Sequence, residues 1–196
     1  MVTLHDFFIA NTKGLSVVVG NLGSGKTLFT TILLYHHYLE GFNVYANYPL
    51  FFPKSKKAEI YEIHSFEDIE EAQNGIMAID EAYTLFDSRR SSSKRNILST
   101  ELIRKSRKKS LRVISIAQQY GLIDLRVRKL ANNIMFPTIY KVGYDKEGIP
   151  YPKALKIFWL KRDDFGVLRY YKTIYVKVHK LYLQLYDTNA DVFDIE

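Results

Sequence analysis

A mostly parallel α/β sheet is the fold class that this sequence predicts, on three observations. Short apolar, β-branched runs stop abruptly at small or polar residues, as strands buried on both faces do. Segments with a helical spacing of apolar residues alternate with those runs. Near the end, two extended runs flank an Asp163-Asp-Phe-Gly166 turn, which predicts an antiparallel β-hairpin at one edge of the sheet.

The elements follow in chain order. Leu15-Ser-Val-Val-Val-Gly20 reads as the first buried strand, ending at glycine. From Lys26 to Leu39 the apolar residues Leu28, Ile32, Leu33, Tyr35 and Leu39 recur at helical spacing, and Gly41 is the stop signal. Asn43 to Asn47 reads as a second strand, and Pro49, Pro53 and the basic cluster Lys54 to Lys57 as a loop. Ser65, with Asp68 three residues on, predicts a capped helix over Phe66 to Gln73. Ile76-Met-Ala-Ile79 is the next buried strand and runs straight into Asp80-Glu81. Arg89 to Arg95 is Ser-rich and basic and reads as a mobile loop. Asn96 can cap a helix from Ile97 to about Lys109. Val113-Ile-Ser-Ile116 is another buried strand, ending in Ala117-Gln118-Gln119. Asn133 to Val142 is a further strand, and Asp145 to Gly148 a turn. Ala154 to Leu160 and Val167 to Val176 form the hairpin, and Lys177 to Tyr186 contains a short helix. Internal repeats and linker-like segments are lacking, so residues 1–196 read as one domain.

Composition narrows the function classes. A hydrophobic share of 47% describes a globular protein. No apolar run approaches the roughly 18 residues of a membrane span. The first residues lack the order of a secretory signal, which predicts a cytoplasmic location. With no cysteine, disulfides, cysteine-ligated zinc and a thiol nucleophile are excluded. The five histidines show no metal spacing. The net charge is +7, and from Arg89 to Lys129 there are 13 Lys or Arg against two acids, Glu101 and Asp124. Such a local excess suits an anionic partner, nucleic acid above all, although a solvated helix face also carries charge runs.

Gly20-Asn21-Leu22-Gly23-Ser24-Gly25-Lys26-Thr27 matches the phosphate-binding pattern G-x-x-x-x-G-K-[ST], between a strand and a helix as that pattern requires. Its glycines let backbone N–H groups turn inward around phosphates, and the helix N-terminus adds its dipole. In that pattern Lys26 reaches the β- and γ-phosphates of ATP, and the Thr27 hydroxyl ligates Mg2+. Asp80, at the end of an apolar strand, is the second Mg2+ candidate. Glu81, one residue on, can orient and deprotonate a water, which favours hydrolysis over transfer to a small molecule. Gln118, at another strand end, is the candidate sensor of the γ-phosphate, with Gln119 as the fallback. An arginine supplied by a neighbouring subunit often completes such a site. Arg89, Arg90, Arg104, Arg107, Arg126 and Arg128 are the candidates, and sequence does not choose among them. Arg89, Arg90, Lys94 and Arg95 in the Ser-rich loop are the candidate DNA contacts.

Two longer stretches carry a family resemblance. Ile79-Asp-Glu-Ala-Tyr-Thr-Leu-Phe-Asp-Ser-Arg89 resembles the Walker B region of the FtsK–HerA superfamily, especially its zonula-occludens-toxin-like (Zot-like) branch. Val113-Ile-Ser-Ile-Ala-Gln-Gln-Tyr-Gly-Leu-Ile-Asp-Leu-Arg-Val-Arg128 resembles the "ITQ…LID..VR" stretch of that branch, with Ala117 where a Thr is usual. Leu185-Tyr-Asp-Thr-Asn189 resembles a closing motif of viral members. The resemblance implies a RecA-like P-loop core of the additional-strand (ASCE) type. It also implies ATP and Mg2+ as cofactors, a ring of identical subunits and pumping of double-stranded DNA. Among small viral members it favours a genome-packaging ATPase, with a capsid or other virion protein as docking partner.

Two other readings have sequence support. A Zot-like ATPase for filamentous virion assembly or export usually carries a membrane span after its core, and this chain has none. A thymidine-kinase-like nucleoside kinase also pairs a P-loop with a "DEA" segment, but those enzymes usually carry a cysteine zinc ribbon. A nucleotide-dependent DNA-binding module without catalysis is disfavoured by the intact Lys26, Asp80 and Glu81.

Overall fold

The computed structural model describes residues 3–81, 109–123 and 125–187, together with Phe193. Among the described residues, eight strands form a single sheet in the order β3-β2-β4-β5-β1-β6-β7-β8. The strands are β1 (Leu15–Val19), β2 (Asn43–Ala46), β3 (Ile60–Glu62), β4 (Gly75–Ile79), β5 (Arg112–Ala117), β6 (Asn133–Tyr144), β7 (Pro150–Arg162) and β8 (Leu168–Lys177). The first six positions of the order are parallel, and β6, β7 and β8 form an antiparallel meander. The α-helices among the described residues are α1 (Leu4–Asn11), α2 (Lys26–Glu40), α3 (Phe66–Glu71), α4 (Leu125–Leu130) and α5 (Lys180–Leu183).

Burial follows the strand chemistry. Every residue of β1 and β4 is buried, because helices or loops cover both faces of the parallel half. One face packs Val18, Ala78, Ile114 and Met135 against Leu28, Phe29, Ile32 and Leu33 of α2, and Phe8 of α1 joins that layer. The other face packs Val17, Val19, Met77 and Val113 against Ile69 of α3 and Val127 of α4. The meander behaves differently. Along β7 the side chains of Leu155, Ile157 and Trp159 are buried, whereas Lys156 and Phe158 between them are exposed. This alternation marks a sheet with one face on the core and one in solvent. Trp159 is fully buried, stacks edge-on to Phe7 and donates its indole N–H to Asn133 Oδ1 at 3.0 Å.

Four features differ from the sequence reading. α1 was not expected, yet Thr3 caps it through a capping box with Asp6. β3 is a three-residue, mostly exposed strand between the expected loop and the capped helix, where no element was expected. α4 follows directly on the strand-end glutamines, after a 3₁₀ turn at Tyr120–Leu122. The C-terminal addition is three strands, because β6 is long enough to pair with β7 from Asn133 to Tyr144. The Ser-rich loop at 89–95 and almost all of the helix at 97–109 lie outside the described residues.

Candidate nucleotide site

The sheet order places β5 between β1 and β4. The three strands end on one side of the sheet, so Gly20, Ala117-Gln118 and Asp80-Glu81 meet in one crevice. Gly20 N–H donates to the Ala117 carbonyl at 3.4 Å, tying the loop to the end of β5. A cleft of about 500 Å³ opens there, lined among others by Gly23, Lys26, Thr27, Asp80, Glu81 and Gln118.

The loop owes its shape to glycine at two points. Gly25 is the N-cap of α2 with φ +89°, and no side chain caps that helix. The leading N–H groups of a 15-residue helix therefore point into the cleft without a side-chain partner. At Gly20, an added Cβ would lie 2.6 Å from Ser24 Oγ, so a side chain there would force the Ser24 hydroxyl to turn away. Ser24 Oγ is itself buried without a hydrogen-bond partner. A buried hydroxyl without a partner, just before a helix N-terminus, is a polar group that a bound phosphate would satisfy.

The charged residues are held in fixed positions. Lys26 is 9% exposed and donates to the Asn21 carbonyl at 3.0 Å. Burial pulls its pKa below the usual lysine value, and the charges of Asp80 and Glu81 push it back up. Thr27 Oγ1 donates to Asp80 Oδ2 at 2.6 Å, and the Glu81 backbone N–H donates to Asp80 Oδ1 at 2.8 Å. Both carboxylate oxygens are thus oriented. A hydroxyl and a carboxylate side by side are hard oxygen donors, which suit Mg2+ completed by phosphate and water. Glu81 lines the same cleft with φ +51°, a left-handed backbone that a glutamate adopts only where its surroundings impose it. Gln118 is exposed at the mouth.

Sequence reasoning missed several residues here. Asn47, 2% exposed at the end of β2, clamps Asp80 from both sides. Its Oδ1 accepts from Asp80 N–H at 2.7 Å, and its Nδ2 donates to the Asp80 carbonyl at 3.1 Å. Next to it, Tyr48 is buried with its hydroxyl 3.3 Å from Thr31 Oγ1, and burial raises its pKa well above the ordinary phenol value. An amide closing an apolar strand on the same side as Asp80 was the available signal for Asn47. Ile139 and Pro152 of the meander and Tyr186 and Asp187 of the C-terminal segment also line the cleft. Phe51 N–H donates to the Leu185 carbonyl at 2.8 Å, which holds that segment in place. Burial pushes the Tyr186 hydroxyl up to about 12, with the Asp80 charge adding to it.

The arginines are less informative. Arg89, Arg90, Lys94, Arg95, Arg104 and Arg107 lie outside the described residues, and Arg126 sits in α4. Arg128, also in α4, lies over the Tyr120 ring at 5.2 Å. No helix of the described residues is long and apolar enough to cross a membrane.

No protein-family model matches the chain. The uncharacterized protein ORF2 of Spiroplasma virus SpV1-R8A2 B is 27% identical over 155 residues, covering 74% of this chain and 45% of that protein. Its counterpart in Spiroplasma virus SpV1-C74 is 28% identical over 141 residues, covering 68% and 41%. The chain therefore spans less than half the length of these relatives. The solved structures that share the fold include the following three. The N-terminal domain of zonular occludens toxin from Neisseria meningitidis superposes with a TM-score of 0.54 at 15% identity, over 90% of this chain and 100% of that one. The genome packaging NTPase B204 of Sulfolobus turreted icosahedral virus 2, in complex with ATP-gammaS, gives 0.53 at 13%, over 84% and 99%. The flagellar accessory protein FlaH of Methanocaldococcus jannaschii gives 0.55 at 12%, over 90% and 93%. The fold is thus that of the RecA-like P-loop ATPases to which the sequence resemblance pointed. Nothing in these likenesses favours a nucleoside kinase.

Proposed function

We propose that this chain is the ATP-hydrolysing core of a viral DNA motor of the FtsK–HerA type. The observation that carries the reading is the pair Thr27 Oγ1–Asp80 Oδ2 at 2.6 Å, in one cleft with Lys26, Glu81 and Gln118. Residues 20–27 cradle the triphosphate, and Lys26 exchanges its Asn21 carbonyl for the β- and γ-phosphate oxygens. Thr27 and Asp80 would hold Mg2+, which when bound neutralises charge on those oxygens. Glu81 orients and deprotonates the attacking water, and Gln118 reads whether the γ-phosphate is present. Hydrolysis is coupled to movement of DNA through a ring of subunits, with an arginine from the neighbour completing each site.

Genome packaging is the form of the motor that the sequence favours, and B204, described as a genome packaging NTPase, shares the fold. A second reading, virion assembly or export, gains from two observations. The Zot N-terminal domain matches along its whole length, and the viral relatives are more than twice as long as the stretch they share with this chain. A segment beyond that stretch can supply what the motor core lacks.

The test is ATP hydrolysis with and without DNA, with mass measured in parallel. Wild type hydrolyses ATP, faster with DNA, and assembles into a closed oligomer. Lys26→Ala abolishes turnover and weakens ATP binding. Near-normal turnover in that variant, or DNA-independent phosphorylation of a nucleoside by wild type, sinks the proposal.

A further inference from the structure

The outer face of the β6–β8 meander plays no part in the nucleotide cleft. Together the three strands carry eight Lys or Arg and no Asp or Glu. They also carry nine aromatic residues, and the nearby acids sit in the connecting turns. Trp159, Tyr171, Lys161 and Lys172 lie on the side of α1, against Phe7 or Asn11, and pairing sets others in rows across the solvent side. Phe136, Phe158 and Thr173 form one row, and Thr138, Lys156 and Tyr175 the next. The rings are exposed well beyond what packing needs: Phe158 42%, Tyr140 53%, Tyr175 57% and Tyr170 59%. They group in two clusters. Phe158 stacks on Tyr170 with centroids 5.2 Å apart, and Tyr140 meets Tyr175 edge-on at 5.0 Å. Beyond the second cluster a groove of about 710 Å³ is lined by Tyr140, Tyr151 and Tyr175 together with four lysines. Among the described residues Lys141, Lys153, Lys156 and Lys177 have no ion-pair partner.

We infer that this face binds single-stranded nucleic acid. Exposed aromatic rings offer their faces to unpaired bases, and the interleaved lysines follow the phosphates. A duplex hides its bases, so it could use only the lysines. A protein partner fits less well, since interface centres are poor in lysine. Among the described residues a strongly acidic region lies at the opposite edge of the sheet, where residues 59–71 around β3 and α3 hold six Asp or Glu and no Lys or Arg. A second copy could dock that edge here, and the test must separate the two occupants.

The surface goes beyond the motor reading and does not depend on it, since binding to it requires no ATP. The experiment measures fluorescence anisotropy of a labelled oligo-dT and of a duplex of equal length, with the full chain and without nucleotide. The single strand binds tighter than the duplex. Phe158→Ala and Tyr175→Ala each weaken the single strand on the order of tenfold, with the salt dependence unchanged. Phe158→Tyr and Tyr175→Phe keep the affinity, because the rings persist. Lys156→Gln with Lys177→Gln lowers the salt slope by about 0.7 for each phosphate no longer neutralised. Lys26→Ala leaves binding intact, so failure of the ATPase reading and failure of this one are distinguishable. Equal or tighter duplex binding overturns the inference, as does single-strand affinity unmoved by the alanine variants. Alanine variants that change the mass in solution but not single-strand affinity would assign the face to a second copy.

Discussion

Glu81 sits where its backbone is strained and its side chain faces the cleft, at φ +51° directly after the Asp80 that Thr27 and Asn47 hold. A left-handed glutamate is kept only where function or packing over-determines it. As the proposed base, it makes a sharp prediction. Glu81→Gln keeps the shape of the side chain but cannot accept a proton, so turnover falls about 10²-fold or more while ATP affinity holds. Single-turnover hydrolysis beside equilibrium nucleotide binding checks this, and loss of affinity with the loss of turnover would mark Glu81 as structural. A second residue-scale prediction concerns acid. His37 is fully buried; its Nδ1–H donates to the Leu33 carbonyl at 2.7 Å, and its Nε2 accepts from Arg112 at 2.9 Å. Burial pushes its pKa down to about 3, and that of His36 to about 4. Both stay neutral in the fold, whereas in the unfolded chain they take up protons near pH 6.5. Their contribution to stability is therefore complete above about pH 6.5 and is lost as pH falls from there towards 3–4. For His37 the slope reaches about 1.4 kcal/mol per pH unit. Urea midpoints at pH 7.5 and 5.5 should show the drop, and His37→Gln should flatten it; an unchanged midpoint would mean the ring is already protonated in the fold.

At the scale of elements, what the sequence made legible depended on length and burial. β1, β4 and β5 were legible because strands covered on both faces read as unbroken apolar runs, and their ends carry the very residues that line the cleft. β3 was not, because three residues, two of them exposed, carry no pattern. α4 is a six-residue helix held by Val127 and Leu130 against the sheet, too short for periodicity to speak. α1 did leave a signal, Thr3 with Asp6 three residues later, the spacing of a capping box. Asn47 and Tyr186 reach the cleft through partners far away in sequence, a fact that tertiary packing alone supplies. The junction of loop and helix gives its own prediction. Gly25→Ala must hold φ near +89° and bring a Cβ to 2.9 Å from Leu155 Cδ2, a buried side chain of the meander. It should cost about 1–3 kcal/mol of stability and weaken ATP together, because the same turn starts α2 and shapes the phosphate cradle. Thermal melts with and without ATP read both effects, and an alanine variant with unchanged Tm and affinity would show that the loop relaxes freely.

Across the whole molecule the sheet is one continuous ladder of two kinds, a parallel half that carries nucleotide chemistry and an antiparallel half that faces solvent. Charge follows the same axis, acidic around β3 and α3 and basic on β7 and β8. In the field of a polyanion such a separation turns the basic edge inward before contact, an effect that added salt screens over about 10 Å at 0.1 M. The two halves are joined at β6, and against it the chain sets its one tryptophan, Trp159 of β7, whose indole is buried against Phe7 and hydrogen-bonded to Asn133 of β6. That position makes the protein its own optical gauge. An indole in an apolar, water-free site emits at short wavelength and moves to the red on wetting, so intrinsic fluorescence reports the opening of this seam, whereas far-UV circular dichroism averages over every helix and strand. Coincident midpoints in urea would define one cooperative unit. An earlier red shift would instead show the antiparallel half peeling away while the phosphate cradle still stands, a sequence of events that no added label would be needed to see.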